Sequence, residues 1–258
     1  MIKIMTFNLR VNTPNDGINE FFLRSERVLK AIRDENPDLI GFQEDKDEMR
    51  AFLRRELPDY TILGCGSTNT LNHAGNSIAY KTDRFEVIDL ETRWFSETPS
   101  VFGSTYGGDQ SKYPRCYRHA RLHVLDGGEI IHFINLHTDH LGQNARMLES
   151  RQLAEVIRSC GTEHVFVTGD FNAEPNSEEI RLLTEDASLG LLDATREIAG
   201  SFHNFGRLIP SVKVDYVFFD SKVSCIESHA VEDIPVNGVY ISDHNPVVAT
   251  FALPEKTI

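Results

Sequence analysis

The sequence predicts an α/β fold built on mixed rather than purely parallel sheets, and three observations lead there. Runs of strand length, rich in Val, Ile and Phe, recur at Ile2–Phe7, Asp38–Phe42, Ile130–Leu136, His164–Thr168, Val214–Phe219 and Val247–Phe251. Helical periodicity separates some of these runs. From Thr61 to His132, however, the pattern is strand and loop with little helical period, whereas a doubly wound parallel sheet needs a helix in every crossover.

The helices follow from their apolar faces and stops. Ser25–Asn36 places Val28, Leu29 and Ile32 on one side and ends before Pro37, which cannot continue a helix. Asp45–Leu57 and Asn144–Ser159 repeat the pattern, the second with Met147, Leu148, Val156 and Ile157 as its expected inner face. Ser96–Cys116, rich in Gly, Ser, Tyr and Pro, reads as a long surface loop, a length at which loops commonly carry function. No repeat, low-complexity tract or linker divides the chain, so residues 1–258 are expected to form one domain.

Composition narrows the function classes. With 39 Asp and Glu against 26 Lys and Arg, the net charge is −13, and no basic cluster is longer than Arg54-Arg55. A protein whose main task is gripping duplex DNA needs a basic stripe for the phosphates, so that class is disfavoured. The 40% hydrophobic and 25% charged residues are those of an ordinary globular protein. No run approaches the roughly 20 apolar residues of a membrane span, and the start at Met1–Asn8 does not read as a secretory leader. Cys65, Cys116, Cys160 and Cys225 lie far apart without CxxC or zinc-type spacing, and read as reduced, mostly buried thiols. A cytoplasmic monomer is the expectation.

Polar residues gather where the strands end. Asn8 closes the first run, Glu44 the second, and Asn135-Leu136-His137-Thr138-Asp139-His140 and Gly169-Asp170-Phe171-Asn172 two others; Asp215 opens Val214–Phe219, and Ser242-Asp243-His244 precedes the last. Ligands of α/β proteins collect at strand ends, so these groups are candidates for one crevice. Each has a plainer reading: Asn8 as a turn residue, Glu44 as a helix-capping acid, Asp170 to Asn172 as an Asx-turn, and His137, His140 and His244 as satisfied core histidines. Asp215 is harder to dismiss, because a carboxylate in an apolar run needs a partner. The oxygens of Asn8, Glu44, Asp170, Asn172 and Asp243, with no thiol beside them, suit Mg2+ or Mn2+, and His244 oriented by Asp215 suits a general base.

From Met5-Thr6-Phe7-Asn8 to Ser242-Asp243-His244-Asn245-Pro246, with Gly169-Asp170-Phe171-Asn172-Ala173 between, the motifs occur in the order found in the endonuclease/exonuclease/phosphatase superfamily, which the chain resembles over nearly its whole length. That superfamily of metal-dependent phosphoesterases includes pancreatic-type DNase, abasic-site endonucleases, deadenylases, inositol polyphosphate 5-phosphatases and sphingomyelinases. The resemblance implies a DNase I-like four-layer α/β sandwich, two packed mixed β-sheets flanked by helices. It implies metal binding by Glu44, Asn8, Asp243 and Asp170, and catalysis by His244, Asp170, Asn172, His137 and Asp215. Arg118 and Asn172 are implied as phosphate contacts. Trp94-Phe95-Ser96-Glu97-Thr98-Pro99 and the segment from Asn135 to His140 resemble a bacterial branch of uncharacterised hydrolases, in whose pattern Asp139 and Arg146 line the substrate pocket. Gly64-Cys65-Gly66-Ser67 and Gly107-Gly108-Asp109 depart from that branch where substrate recognition is expected.

The resulting expectation is a Mg2+-dependent or Mn2+-dependent phosphoesterase acting by metal-assisted water attack on a small phosphorylated molecule or short single-stranded nucleic acid. The alternatives are a DNA endonuclease or exonuclease, a lipid phosphodiesterase using the Trp94-Phe95 and Val101-Phe102 pairs at a membrane, and a non-catalytic binding module on the same scaffold.

Overall fold

In this computed structural model, residues 1–66 and 75–254 are described, so Ser67 lies outside the described residues. The elements follow as β1 (Ile2–Asn8), α1 (Phe21–Glu35), β2 (Leu39–Asp45), α2 (Asp47–Glu56), β3 (Tyr60–Leu63), β4 (Gly75–Lys81), β5 (Phe85–Trp94), β6 (Cys116–Val124), β7 (Ile130–His137), α3 (Gln143–Ser159), β8 (His164–Asp170), α4 (Glu178–Glu185), β9 (Leu191–Asp193), β10 (Asp215–Asp220), β11 (Ser224–Ala230) and β12 (Val247–Ala252). One six-stranded sheet has the order β11-β12-β1-β2-β4-β3 and the other β5-β6-β7-β8-β10-β9. Both are mixed, because β1 runs parallel to β2 and β7 to β8 while their other pairings are antiparallel.

Period-two alternation on the strands creates three apolar layers. Ile2, Ile4, Leu39, Phe133, Phe166, Val217 and Phe251 meet between the sheets. Met5, Phe7, Ile40 and Phe42 face outward against Val28, Leu29 and Ile32 of α1 and Met49 and Leu53 of α2. Ile134, Leu136, Val165 and Val167 face the other way, against Leu153 and Ile157 of α3 and Ile180 and Leu183 of α4. The result is helices, sheet, sheet, helices: the expected four-layer sandwich, with the core split in three.

Three local expectations change. The inner face of α3 is Ala145, Glu149, Leu153, Ala154 and Ile157, whereas Leu148 is exposed and Met147 and Val156 are half-buried. Glu149 takes an inner position because its carboxylate accepts the Asp139 amide at 2.8 Å, a polar reason that an apolar count does not register. Helix α1 begins at Phe21 rather than Ser25 and ends at Asn36, whose left-handed φ of 49° caps it before Pro37. The short β9, the exposed β11 and α4 were not expected; their residues lack a long apolar period.

Beneath the strand ends, polar groups join the sheets. Asn135 on β7 donates to the carbonyls of Phe42 (2.7 Å) and Ser77 (2.8 Å), while its Oδ1 accepts from Gln43 Nε2 (2.7 Å) and Thr168 Oγ1 (3.1 Å). Gly41 makes room: a Cβ there would lie 2.1 Å from Thr168 Oγ1 and 2.4 Å from Asn135 Oδ1. The loop after β5 packs in part, with Trp94 and Phe95 buried and the half-exposed Phe102 ring 4.6 Å from that of Trp94. Among the described residues no helix is long and apolar enough to cross a membrane. Cys116 and Cys160 are buried, Cys225 is half-buried and Cys65 is exposed; all four are free thiols.

Candidate active site

Along each central strand the inward face changes character toward one end of the sandwich. On β1 it runs Ile2, Ile4, Thr6, Asn8; on β7 Ile131, Phe133, Asn135, His137; on β8 Phe166, Thr168, Asp170. On the antiparallel β10 the same series runs backward, from Phe219 through Val217 to Asp215. Register then brings the polar ends together, since Asp170 is the cross-strand partner of both His137 and Asp215.

Asp170 is the centre of the cluster. Asn8 Nδ2 donates to its Oδ2 at 2.9 Å, His137 Nε2 lies 3.5 Å from that oxygen and His244 Nε2 3.8 Å from it. The other oxygen accepts the Asn172 backbone amide at 2.9 Å, so the Asx-turn foreseen as the plainer reading forms within the cluster. Asn172, held at φ 45°, also donates from Nδ2 to the Thr138 carbonyl at 3.1 Å. His244 Nδ1 is 2.8 Å from Asp215 Oδ2, and Phe202 stacks on the imidazole with ring centroids 4.7 Å apart. Asp243 Oδ1 lies 4.0 Å from His244 Nε2.

Glu44 reaches the site by breaking the alternation. Pairing of β2 with β4 slips between Gln43 and Asp45, and Glu44 takes a left-handed φ of 61°. Such backbone is costly for a residue with a Cβ and is held here by its surroundings. Val11 N donates to Glu44 Oε2 at 2.9 Å, and Asn8 Nδ2 sits 3.4 Å from Oε1.

Charge is distributed unevenly. Burial and the neighbouring Asp215 carboxylate raise Asp170 to about 7. Burial opposes a charge on His244, but Asp215, its hydrogen bond, Asp170 and Asp243 outweigh it and raise the imidazole to about 10. For His137, burial acts together with Arg115, His244 and His140 to hold the ring well below its ordinary value. Burial pushes Glu44 up, yet the Arg10 charge, the Val11 amide and His244 bring it below the usual carboxylate range.

These residues fit a divalent cation. Asp170, Asp215 and His244 offer three ligand atoms within 4.8 Å of one another, with the oxygens of Glu44 and Asn8 adjoining. Asp215 Oδ1 is buried without a hydrogen-bond partner among the described residues, an arrangement that a nearby cation compensates. The donors are mainly oxygen and none is a thiol, which favours a hard ion.

The other named residues lie elsewhere. Arg118 is buried and donates to the Cys65 carbonyl and the Thr92 hydroxyl. Arg146 pairs with Glu179 at 2.7 Å and donates to the Asp139 carbonyl at 3.1 Å. Asp139 accepts from the amides of Leu141 (2.9 Å) and Gly142 (2.8 Å) and from the Ser111 amide and hydroxyl, which ties the long loop to the end of β7.

Sequence reasoning missed two arginines. Arg115, 2.9 Å from His140 Nδ1 and 3.7 Å from Asp139 Oδ2, places its charge beside His137. Arg24, fully buried on α1, donates to the carbonyls of Leu9 (2.6 Å), Arg10 (2.8 Å), Asn19 (2.8 Å) and Ile241 (2.7 Å), fixing the two segments that carry Asn8 and Asp243. Its signal was available: an arginine four residues before Val28, on the apolar face of a helix.

The family model for the endonuclease/exonuclease/phosphatase family matches residues 5–244, a span containing every member of the cluster. The chain belongs to this family. Its members are phosphoester hydrolases, typically dependent on a divalent metal, and this chain is such a hydrolase. It is 24% identical over 272 residues to an uncharacterized protein of Acanthamoeba polyphaga mimivirus, covering 97% of this chain and 100% of that one. A solved endonuclease/exonuclease/phosphatase family structure from Bacteroides vulgatus superposes with a TM-score of 0.91 at 28% identity, covering 98% of this chain and 99% of that chain. The Bacteroides thetaiotaomicron mannosyl-6-phosphatase shares the fold, with a TM-score of 0.89, 22% identity and coverage of 98% and 100%.

Proposed function

We propose that this chain hydrolyses the phosphate ester of a small molecule, with Mg2+ or Mn2+, by in-line attack of water on phosphorus. The observation that carries the reading is the convergence of Asp170, Asp215 and His244, with His137, Asn8 and Glu44 joined to them. Glu44, Asn8, Asp170 and Asp243 are the residues to hold the cation, whose chemistry is to polarise a phosphoryl oxygen. Asp170, with Asn172 beside it, is placed to orient the attacking water next to the cation it helps to hold. His244, oriented by Asp215 at 2.8 Å, is placed as the base for that water; the carboxylates that raise it are the groups a cation would neutralise. His137, kept neutral and 3.5 Å from Asp170, suits a hydrogen bond to a phosphoryl or leaving oxygen.

Three features support a small substrate: the net charge of −13, the wall of Arg115, His140 and the Ser111 loop beside the cluster, and the named activity of the Bacteroides thetaiotaomicron structure on a phosphosugar. A panel of sugar phosphates, nucleotides, generic mono- and diesters, and single- and double-stranded DNA, run with Mg2+, Mn2+ and chelator, tests this. Turnover of small esters that stops with chelator and in Asp170→Asn is expected. Turnover confined to single-stranded or duplex DNA sinks the small-substrate reading, and hydrolysis unaffected by chelator or by Asp170→Asn sinks the mechanism.

A further inference from the structure

We propose that His119, His132 and Cys160 form a second metal site, for a borderline divalent transition ion such as zinc, on the outer face of the sheet whose inner face carries His137 and Asp170. The three side chains offer ligand atoms within 4.8 Å of one another. They come from three elements: His119 from the middle of β6, His132 from the start of β7, and Cys160 from the residue that ends α3. Alternation separates this place from the catalytic cluster. On β7, Ile131, Phe133, Asn135 and His137 point inward, so His132 points outward with Ile134 and Leu136.

The inner nitrogens face each other and the sulfur. His119 Nε2 is 2.7 Å from His132 Nδ1 and 3.9 Å from Cys160 Sγ. Tetrahedral zinc, with Zn–N near 2.0–2.1 Å and Zn–S near 2.3 Å, places two nitrogens roughly 3.3 Å apart and a nitrogen and sulfur about 3.6 Å apart. For these two pairs, shifts of about 0.3–0.6 Å, within the reach of χ rotations, reach the tetrahedral spacing.

A second observation points the same way. Each histidine turns its other nitrogen to a carboxylate: His132 Nε2 lies 2.8 Å from Glu163 Oε2, and His119 Nδ1 3.5 Å from Glu91 Oε1. Metal-ligating histidines almost always have their far nitrogen held in this way, which fixes the tautomer and aims the near nitrogen at the ion. Arg121 braces Glu163 in turn. Burial first, with His119 adding to the effect at His132, holds both rings below their ordinary value, which favours the neutral form a ligand needs. Binding requires Cys160 to leave as thiolate, its proton passing to solvent while the S–H bond is replaced by a sulfur–metal bond. Water completes four-coordination. The ion would tie the end of α3 to β6 and β7, and is distinct from the hydrolytic centre.

Cobalt titration of the full chain, with excess Mg2+ present to occupy the hydrolytic site, tests the assignment. One equivalent of Co2+ should produce a sulfur-to-cobalt charge-transfer absorption, and Zn2+ should displace it. The band should vanish in Cys160→Ser and weaken in affinity by roughly 10–100-fold in Glu163→Gln. Mg2+-dependent hydrolysis should change by less than about twofold in both variants, since neither touches the catalytic cluster. Should Cys160→Ser fail to fold, Glu163→Gln and His119→Gln carry the test. No charge-transfer band in the wild-type protein, or one that persists in Cys160→Ser or His119→Gln, overturns the proposal.

Discussion

His137 and His132 stand five residues apart on β7 and face opposite sides of the same sheet; burial lowers both, and the contrast between the two sides comes from His244, which adjoins His137. Inside, at the strand ends, Asp215, Asp170 and Asp243 surround His244 and raise it to about 10, against the pull of burial. Outside, His119 and His132 each meet one half-exposed carboxylate, and burial wins, lowering both. Around His244 the carboxylates outweigh burial; at His137, 3.5 Å from Asp170 but facing Arg115, His140 and His244, burial and those positive neighbours prevail, as burial does in the outer pair. One face is therefore equipped for phosphate chemistry and the other for holding a softer ion.

The largest test of that contrast is catalytic. Asp170→Asn keeps the side-chain size but removes the group on which Asn8, His137 and His244 converge, and kcat should fall by about 10³-fold, in the range seen when a transition-state group is removed. His119→Gln on the outer face should leave kcat within about twofold. Steady-state kinetics under saturating Mg2+ reads both, and equal losses would erase the distinction between the faces.

Next is Asp215→Asn. It unfastens the hydrogen bond that orients His244 and removes the second-largest cause of the raised Asp170. A fall in kcat of roughly 10²-fold is expected. Because Asp215 is the largest cause that raises His244, the imidazole should titrate lower, and the acid limb of the kcat/KM profile should move to lower pH. An unmoved acid limb would remove His244 as the base.

Stability against pH, measured in chelator, extends the contrast to folding. A raised group in the folded state stabilises below its ordinary value and stops doing so as pH rises through the folded one. For His244 that loss runs from about 6.5 up to about 10, and Asp170 adds loss in the same direction up to about 7. His119 and His132 are lowered, so their contribution is present above about 6.5 and disappears as pH falls through their folded values. His244→Gln should flatten the alkaline side of the Tm profile and His119→Gln the acid side. Thermal unfolding between about pH 5 and 10 shows whether the two variants act on opposite limbs, as this requires.

The interior end of the sandwich and much of the fold were legible because both rest on period-two patterns. The inward series Ile2, Ile4, Thr6, Asn8 and Phe166, Thr168, Asp170 can be read directly, and each ends on a site residue. Glu44 was found from its place at a strand end and by motif, not by alternation, which puts it on the wrong face; only the bulge and its φ of 61° bring it round. The outer cluster was invisible to spacing, because His119 and Cys160 are 41 residues apart and meet through packing of a helix end on a sheet. Arg118 shows the converse: the resemblance implied it as a phosphate contact, whereas its guanidinium turns to the Cys65 carbonyl and Arg115 at the loop end stands near His137.

Packing offers a smaller test of the same two faces. Gly41 lies on the inner side of β2, where a methyl group would sit 2.1 Å from Thr168 Oγ1, so Gly41→Ala must part the sheets or break the Asn135 network. A loss of about 1–3 kcal/mol in chemical denaturation is expected, with kcat reduced as well because Asn8 and Asp170 sit on the displaced strands.

The smallest effect is expected outside, at Leu148. An apolar count assigned it to the inner face of α3, but Glu149 occupies that direction through its bond to the Asp139 amide, and Leu148 remains 36% exposed. Leu148→Gln removes little buried area and keeps a good helix former, so stability should change by no more than about 0.5 kcal/mol. Glu149→Leu supplies the contrast. It deletes the acceptor for the Asp139 amide beneath the loop that flanks the cluster, leaving a buried donor unpaired at a cost of about 1–3 kcal/mol, even though the substitution makes the helix face more apolar. Denaturation midpoints in the reverse order would mean that α3 is seated by its apolar residues alone, with the hydrogen bond to the site loop incidental.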